Sequence, residues 1–400
     1  MEQLSREERR AVERLDAAAM LARVERWGAV NSGTRNVAGC EAMAALLADA
    51  FAVLPGEIRL IEPEAAEIVT GDGAVKPLAH GRHLHLAVRP GATRRVLLTG
   101  HMDTVYPVDH PFQTLEWRGD GTLNGPGVAD MKGGLSLLLE ALCALEATGT
   151  TLGYDVVINS DEETGSLSSA ALIAETARGK IAALTYEPAL PDGTLAGARG
   201  GTGNFAIVVR GRAAHAGRNP EEGRNAIVAA AAIAVRLHAE RSPSLAVNPA
   251  RVDGGGPNNV VPDLAVLRVN FRPRDAAEID RARRLIDDAV ATIAAQHDVA
   301  ISVHGGFNRP PKPIDAGAAR LFALVHDVGT ALDQPIAWRD TGGVCDGNNI
   351  AACGVPVIDT MGVRGGAIHS MEEFVIVDSL AERAALSAVT MMRIERGALA

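Results

Sequence analysis

Histidine and carboxylate side chains recur along this chain near the ends of apolar, strand-like runs. Such runs occupy residues 95–99, 155–160 and 182–186, and ligands of α/β proteins bind at the carboxyl ends of strands. The set consists of His101, Asp130, Glu163, Glu187 and His369. Oxygen and imidazole ligands without thiolates suit zinc, cobalt or manganese. Five ligands exceed the needs of one tetrahedral zinc, so the set predicts a bridged pair of metal ions of the kind that hydrolases use.

Each member of this set also has a plain structural interpretation when it is considered alone. Asp130 fits a helix cap, and Glu187 before Pro188 fits a surface turn. The acids at residues 161–163 fit a solvated loop, although adjacent acids at a strand end are costly to bury unless cations neutralise them. The glycines at 125 and 127 suggest a dinucleotide loop. However, Asp130 stands at the third glycine position of that fingerprint and would repel pyrophosphate, so a metal-bound carboxylate is the better interpretation.

Alternating strands and helices predict an α/β fold with helices on both faces of a mixed sheet. Strands are predicted at residues 57–61, 83–88, 95–99, 155–160 and 182–186, and helices at 7–27, 36–51, 132–146 and 168–175. From residue 204 the order changes to β-α-β-β-α-β, the ferredoxin-like pattern, which ends at a proline-rich segment. We therefore predict a catalytic, metal-binding domain of residues 1–199 and 311–400, with a lid and dimerisation domain of residues 200–310 inserted into it.

Composition excludes several other classes of protein. The 400 residues suggest two domains, and a net charge of −10 without a basic patch argues against nucleic-acid binding. No apolar run approaches the ~20 residues that span a bilayer, and the charged N-terminus is unlike a secretory signal. The four cysteines are scattered, which argues against disulfides or a cysteine zinc site. A cytoplasmic enzyme without a membrane or nucleic-acid partner is the expectation.

The motifs together resemble a known family, the co-catalytic zinc peptidases and deacylases that include glutamate carboxypeptidase, acetylornithine deacetylase and succinyl-diaminopimelate desuccinylase. The resemblance rests on residues 100–103 (GHMD), 127–134 (GVADMKGG) and 161–166 (DEETGS) with the late His369, and it covers essentially the whole chain. It implies two Zn²⁺ ions, with Co²⁺ or Mn²⁺ as alternatives. Asp130 would bridge the two ions. One site would be completed by His101 and Glu187, and the other by Glu163 and His369.

The same resemblance assigns roles to residues beside the metals. Successive side chains point in different directions, so Glu162 would act as the general base on a metal-bridging water while its neighbour Glu163 binds metal. Asp103 would orient the His101 imidazole. Residues 212–217 (RAAHAG) resemble the family's lid motif, in which His215 would stabilise the oxyanion, in its own subunit or across a homodimer interface. A surface histidine is the plain alternative.

Substrate contacts are also implied by the resemblance. Asn258 and Asn259 match the family's substrate-binding asparagine region, with Asn259 favoured because it directly precedes Val-Val-Pro. Arg309 resembles an arginine that holds the substrate carboxylate, a pairing that suits the guanidinium fork. Turn and surface roles are the plain alternatives. Residues 341–349 resemble the glutamate carboxypeptidase-like branch, but Cys345 stands where a small Ser or Thr is expected, which puts fine specificity in doubt.

These features predict a dinuclear metallohydrolase that cleaves an amide or peptide bond in a small molecule or peptide bearing a free carboxylate. A carboxypeptidase-like activity is favoured, and an N-acyl amino acid deacetylase or desuccinylase is the alternative. A catalytically silent relative is disfavoured, because all five predicted ligands and Glu162 are present. A homodimer through the inserted domain is expected from the resemblance.

Overall fold

The computed structural model describes residues 3–399. Its helices are α1 (Arg6–Val12), α2 (Ala17–Gly28), α3 (Val37–Phe51), α4 (Gly134–Glu146), α5 (Ala170–Ala177), α6 (Ala226–Ala239), α7 (Ala276–His297), α8 (Ala316–Ala331), α9 (Asp346–Ala352) and α10 (Ser379–Glu395). Its strands are β1 (Glu57–Ile61), β2 (Ala66–Val69), β3 (Val75–Leu78), β4 (His83–Val88), β5 (Arg95–His101), β6 (Glu116–Trp117), β7 (Thr122–Asn124), β8 (Gly153–Asn159), β9 (Ala182–Thr185), β10 (Leu195–Arg199), β11 (Thr202–Arg210), β12 (Leu245–Gly254), β13 (Leu264–Pro273), β14 (Ala300–Arg309), β15 (Trp338–Thr341), β16 (Val357–Ile358), β17 (Gly365–Gly366) and β18 (Phe374–Ile376).

A mixed six-stranded sheet with the order β1-β4-β8-β5-β9-β16 carries the predicted site at one edge. Strand β5 runs parallel to both β8 and β9, β16 runs parallel to β9, and β4 is antiparallel to β8. Every residue of β8 is buried, as the apolar run predicts for a central strand. Because parallel strands end at the same edge of a sheet, the segments after β5, β8 and β9 meet there. The predicted α/β fold with a central mixed sheet is confirmed.

A separate four-stranded antiparallel sheet, ordered β12-β13-β11-β14, is formed by the middle of the chain. Helices α6 and α7 contribute to its own apolar core, which includes Ile207, Ala230 and Ile286. The element order β11-α6-β12-β13-α7-β14 is consistent with the predicted ferredoxin-like pattern. A distinct sheet with a distinct core supports an inserted domain at residues 200–310, and we keep this division as a proposal.

The two chain crossings between the sheets lie side by side. Arg199 and Lys312 exchange two backbone hydrogen bonds, each 2.9 Å long. Both side chains also pair with the buried carboxylate of Asp359, at 2.6 Å from Arg199 Nε and 3.3 Å from Lys312 Nζ to Oδ2. The Asn348 side chain donates to the carbonyl oxygens of Gly200 and Pro310, at 2.9 and 2.7 Å. Asn348 in the first turn of α9 and Asp359 after β16 therefore both stabilise the position of the two crossings.

The single helix predicted at residues 7–27 is wrong in one respect, because the structure has two helices there. The second begins after Asp16, whose carboxylate accepts the backbone N–H of Ala19 at 2.9 Å. This side chain caps a new helix start, and the apolar periodicity that runs through both helices hides the break. None of the helices within residues 3–399 combines the length and apolarity needed to cross a bilayer.

The carboxylate of Asp155 on β8 is expected to stabilise the main sheet. It is 4% exposed and accepts from His85, Arg95 and Lys180, with N···O distances of 2.9, 2.8 and 3.0 Å. Burial would raise the pKa of Asp155, but hydrogen bonds from His85 and Lys180 and the charges of Lys180 and Arg95 outweigh it and lower the pKa to about 2. The ionised carboxylate is therefore favoured by the folded state.

Asp155→Asn is expected to lower the free energy of unfolding by about 3 kcal/mol at pH 7, because it leaves the buried Lys180 ammonium and the half-buried Arg95 guanidinium facing a neutral partner. Since the folded pKa is depressed, this contribution is fully present above the usual aspartate pKa of about 4 and is lost as pH falls toward the folded value. Urea unfolding should show a constant difference in the free energy of unfolding between parent and variant from pH 7 to about 5, and a smaller difference below pH 4. A difference that grows on acidification would contradict the stabilising role of the ionised Asp155 carboxylate.

Candidate metal centre

The His101 imidazole is fixed at the end of β5 with one ring nitrogen facing the other candidate ligands. Its Nδ1 lies 2.9 Å from the main-chain oxygen of Asp103, and its side chain is almost fully buried. A carbonyl oxygen only accepts hydrogen bonds, so Nδ1 carries a proton, and Nε2 of the neutral ring would be the nitrogen that binds a metal. Nε2 points at Asp130 Oδ1, 3.0 Å away, and lies 3.7 Å from Glu187 Oε2.

Asp130 lies in an irregular turn at Val128–Gly133, directly before α4. Asp130 and Met131 have non-helical backbone angles, so α4 begins at Gly134 and the predicted helix start at residue 132 is two residues too early. A Cβ on Gly134 would lie 2.1 Å from the carbonyl oxygen of Tyr186. Only glycine allows this close approach, which brings the start of α4 against the chain that leads to Glu187.

The structure brings all five predicted ligands together in two groups that share Asp130. The groups are His101, Asp130 and Glu187, and Asp130, Glu163 and His369. Within each group the candidate ligand atoms all lie within 4.8 Å of one another. His369 Nε2 is 3.3 Å from Asp130 Oδ2 and 3.2 Å from Glu163 Oε2, so the two carboxylate oxygens of Asp130 face different histidines. A carboxylate placed in this way has the geometry of a bridge.

The electrostatics of the two groups fit a cation. Burial and the negative charge of Asp130 raise the pKa of Glu163 to about 7, and burial also raises the pKa of Glu187. Hydrogen bonds to Asp130 and Glu163 raise the pKa of His369 to about 10. Buried carboxylates crowd one another here, and positive charge is favoured among them. Nitrogen and oxygen donors with this excess of negative charge suit divalent metal ions.

The Asp103 carboxylate holds the loop that follows β8. It accepts the backbone N–H groups of Glu162 and Glu163, both at 3.2 Å, and the hydroxyl of Thr34 at 2.7 Å. Its Oδ1 is 3.4 Å from His101 Nδ1, farther than its own main-chain oxygen. The predicted orientation of His101 by this carboxylate therefore remains a prediction, while its contact with the acidic loop was not anticipated.

Glu162 lies beside the metal-ligand groups, and its carboxylate faces Arg309. The residue is 7% exposed, and its Oε1 lies 2.7 Å from Arg309 Nη2, an ion pair whose angles miss those of a hydrogen bond. Burial raises the pKa of the Glu162 carboxyl, and the guanidinium offsets part of this effect. The contact of Arg309 with a substrate carboxylate stays a prediction. In this structure the Arg309 guanidinium contacts acceptor groups of the protein itself.

The predicted residues His215, Asn258 and Asn259 lie in neighbouring segments of the inserted domain and are not part of the two ligand groups. His215 is exposed, its Nδ1 accepts the backbone N–H groups of Gly217 and Arg218, and its backbone pairs with Val260. Residues 258–259 lie in the turn before that pairing, where the Asn259 carbonyl accepts the N–H of Ala216. The roles of His215, Asn258 and Asn259 in oxyanion and substrate binding stay predictions.

Cys345 is a structural side chain at the start of α9. It is 3% exposed, its Sγ accepts the backbone N–H of Gly347 at 3.4 Å, and it lies 3.5 Å from Asp359 Oδ2. Burial raises the pKa of the thiol well above its usual value. An enclosed neutral thiol is a poor nucleophile, which agrees with a role in packing.

Glu373 was missed by the sequence interpretation, although it lies four residues after His369. It is 1% exposed, and its Oε1 accepts the backbone N–H groups of Ala129 and Asp130 at 3.0 and 3.1 Å. Its Oε2 lies 2.8 Å from the Tyr106 hydroxyl. Glu373 therefore holds the turn that presents Asp130. The contact joins residues 243 positions apart, so local pattern offered no signal for it.

Glu373→Ala is expected to weaken zinc binding about 10- to 100-fold, because the backbone of Asp130 loses the acceptor that fixes it. Equilibrium dialysis against zinc would measure the change. Glu372→Ala is the matched control, since the Glu372 side chain is 73% exposed and forms an ion pair with Arg118 at the surface. Equal zinc affinity in Glu373→Ala and the control would show that Glu373 does not support the metal site.

Comparisons with known proteins agree with the fold and indicate the family. The sequence profile described as "Peptidase family M20/M25/M40" matches residues 97–393. Carboxypeptidase G2 of Pseudomonas sp. (strain RS-16) is 30% identical over 320 residues, covering 76% of this chain and 75% of that protein. Succinyl-diaminopimelate desuccinylase of Xylella fastidiosa (strain 9a5c) is 28% identical over 328 residues, covering 75% of this chain and 83% of that protein.

Solved structures with lower sequence identity share the fold. A tripeptidase from Staphylococcus aureus subsp. aureus Mu50 superposes with a TM-score of 0.73 at 21% identity, over 96% of this chain and 99% of that one. A metallo-carboxypeptidase from Sulfolobus solfataricus gives a TM-score of 0.70 at 14% identity, over 93% and 98% of the two chains. The profile match and the sequence relatives go further. The chain belongs to peptidase family M20/M25/M40 and is a metal-dependent hydrolase that cleaves amide or peptide bonds.

Proposed function

We propose that this chain binds two divalent metal ions, zinc in the first instance, and hydrolyses an amide or peptide bond with Glu162 as general base. The observation that carries the proposal is Asp130, whose two oxygens face two separate groups of candidate ligands. His101 and Glu187 would complete one site, and Glu163 and His369 the other. When bound, the ions would lower the pKa of a water molecule and polarise the scissile carbonyl.

The chain's own residues supply the proton transfers and the placement. Glu162 would take a proton from the attacking water and pass it to the leaving nitrogen, which a carboxylate beside the metal groups is placed to do. Asp103 keeps the backbone of Glu162 and Glu163 in place through two hydrogen bonds. Burial of this loop excludes bulk water from the base, since Glu162 is only 7% exposed.

The substrate we favour is a small acylated amino acid or peptide with a free carboxylate, cleaved in the manner of a carboxypeptidase. The support is the 30% identity to a protein named carboxypeptidase G2. An N-acyl amino acid deacylase is the second candidate, because several relatives at 26–29% identity are named succinyl-diaminopimelate desuccinylase. Both candidates require the same metal ligands and the same base, and they differ in which side of the bond is recognised.

A panel of substrates offered to purified, zinc-loaded protein tests the proposal. The panel contains N-acetyl-, N-succinyl- and N-benzoyl-L-glutamate together with dipeptides ending in glutamate or alanine. Release of free glutamate from the benzoyl compound and the dipeptides supports the carboxypeptidase-like reaction, and preference for the acetyl or succinyl compound supports the deacylase. Chelation should abolish every activity and zinc should restore it. Turnover that survives exhaustive chelation would refute the metal-dependent mechanism.

The homodimer through the inserted domain remains our proposal as well. Sedimentation velocity of the full chain would test it, because a single species at the monomer mass across the micromolar range would contradict it.

A further inference from the structure

Arg309 lies where the inserted sheet returns to the main sheet. It is the last residue of β14 and is 4% exposed, which is rare for an arginine outside a built network. An arginine in this position fits two roles. It could bind the substrate from the edge of the site, or it could organise the site itself. The acceptors around the guanidinium distinguish between these roles.

Arg309 holds both the side chain and the backbone of Glu162. Nη2 lies 2.7 Å from Glu162 Oε1 and donates to the Glu162 main-chain oxygen at 2.9 Å. A single donor group thus fixes two points of the same residue. Because the general base must lie within hydrogen-bond reach of the proton it takes, a contact at both points sets where the carboxylate can lie.

Asp346 holds the Arg309 guanidinium in this position. Its Oδ1 lies 3.3 Å from Arg309 Nη2, and its carboxylate also accepts from Ser166 and from Asn159, the latter at 2.9 Å. Asp346 is 2% exposed and Asn159 ends the central strand β8. Ser166 accepts from Arg309 Nη2 at 2.9 Å as well. The network therefore runs from the main sheet through Asp346 to Arg309 and ends at Glu162.

The guanidinium offers no open edge to a substrate in this structure. Nη2 faces protein acceptors, and Nη1 lies 3.5 Å from the carbonyl oxygen of Val344. Nε is enclosed and, within residues 3–399, has no hydrogen-bond partner. A carboxylate is normally held by two parallel N–H groups of an arginine, and here neither pair is exposed. Binding of a substrate carboxylate would first require Arg309 to leave Glu162.

We propose that Arg309, held in place by Asp346, is a positioning residue for the general base Glu162 and does not bind the substrate carboxylate. The proposal deepens the function proposed above and rests on it for the role of Glu162. It replaces the expectation, drawn from family resemblance, that this arginine holds the substrate. It also gives Asp346, which is 2% exposed, a measurable influence on turnover.

Crystal structures of the zinc-loaded parent and of Arg309→Met, both without substrate, test the placement itself. We expect the Glu162 carboxylate to leave its position in the variant while the five metal ligands stay in place. An unmoved Glu162 would overturn the proposal, as would a parent structure in which Arg309 does not contact Glu162. This structural comparison does not depend on enzymatic activity. A parent protein that hydrolyses nothing in the substrate panel would therefore count against the proposed function alone.

Steady-state kinetics on the best substrate of the panel separate positioning from binding. For Arg309→Met and Asp346→Asn we expect kcat to fall about 10- to 100-fold with KM within about twofold, since a displaced catalytic group costs rate. Zinc content should equal that of the parent. A KM raised tenfold or more at unchanged kcat in Arg309→Met, with Asp346→Asn like the parent, would instead assign Arg309 to the substrate carboxylate.

A second pair of measurements covers the case in which Arg309→Met does not fold. Asp346→Asn alone should still lower kcat, and Arg309→Lys should lower it too, because an ammonium group lacks the planar fork that reaches several acceptors. Guanidinium at low millimolar concentration should partly restore kcat to Arg309→Ala. Parent-like kcat in both Asp346→Asn and Arg309→Lys would overturn the proposal.

Discussion

Glu162→Gln is expected to lower kcat by about 10²- to 10⁴-fold while the protein keeps its full complement of metal. Glutamine has the shape of glutamate but cannot take a proton from water, so the loss falls on the chemical step. The side chain is not a member of either ligand group, and its Oε1 faces Arg309. Metal analysis of the purified variant and stopped assays on the best substrate would measure the two quantities.

The control for this variant is Glu175→Gln, an exposed position on α5, the helix that follows the same loop. It should match the parent in both kcat and metal content. If Glu162→Gln kept more than a tenth of parental kcat, the assignment of the general base would be wrong. If it lost metal, Glu162 would have to be reassigned as a ligand.

Asp130→Ala is expected to lose most of the bound metal at both sites and with it all measurable hydrolysis. The reason is geometric, because one carboxylate serves both groups and each group then keeps only two of its three candidate ligands. Zinc should raise the Tm of the parent by mass action, by an amount that grows with the ratio of free zinc to Kd. The same addition should leave the Tm of the variant nearly unchanged.

Two comparisons make this result specific. Asp109→Ala removes an exposed carboxylate from the segment after β5 and should keep the parental zinc shift. Asp130→Asn retains one oxygen ligand and should bind zinc more weakly than the parent but more tightly than the alanine variant. A fully loaded and active Asp130→Ala protein would refute the shared-ligand geometry.

The grouping of the predicted ligands could be foreseen because it depends on a general property of parallel sheets. Apolar runs identified β5, β8 and β9, and strands that run parallel bring their following residues to one edge. His101 and Glu187 are positioned by that rule alone. Asp130 and His369 lie in turns whose shape no periodicity describes, so they were predicted from the set of five residues together and not from a strand end alone.

Contacts between residues far apart in sequence were not predicted. Glu373 accepts the backbone N–H groups of Ala129 and Asp130, and Arg309 pairs with Glu162, 147 positions away. Such contacts depend on tertiary packing, which a single sequence does not record. The break between α1 and α2 was missed for a different reason, since the cap at Asp16 competes with an uninterrupted helical period.

Because the two crossings at Arg199 and Lys312 are adjacent, the segment between them could be deleted or exchanged as one unit. The two residues are hydrogen-bonded neighbours, so the segment between them leaves and re-enters the rest of the chain at one point. A tight turn joining residue 199 to residue 312 would close the chain without moving either end, because short loops between adjacent strand ends cost little entropy. The same two cut points allow the four-stranded unit of a relative to be grafted in its place. Under the proposed domain division, residues 199 and 312 are therefore the junctions for exchanging the inserted unit, and an exchanged unit would have to keep the arginine that contacts Glu162.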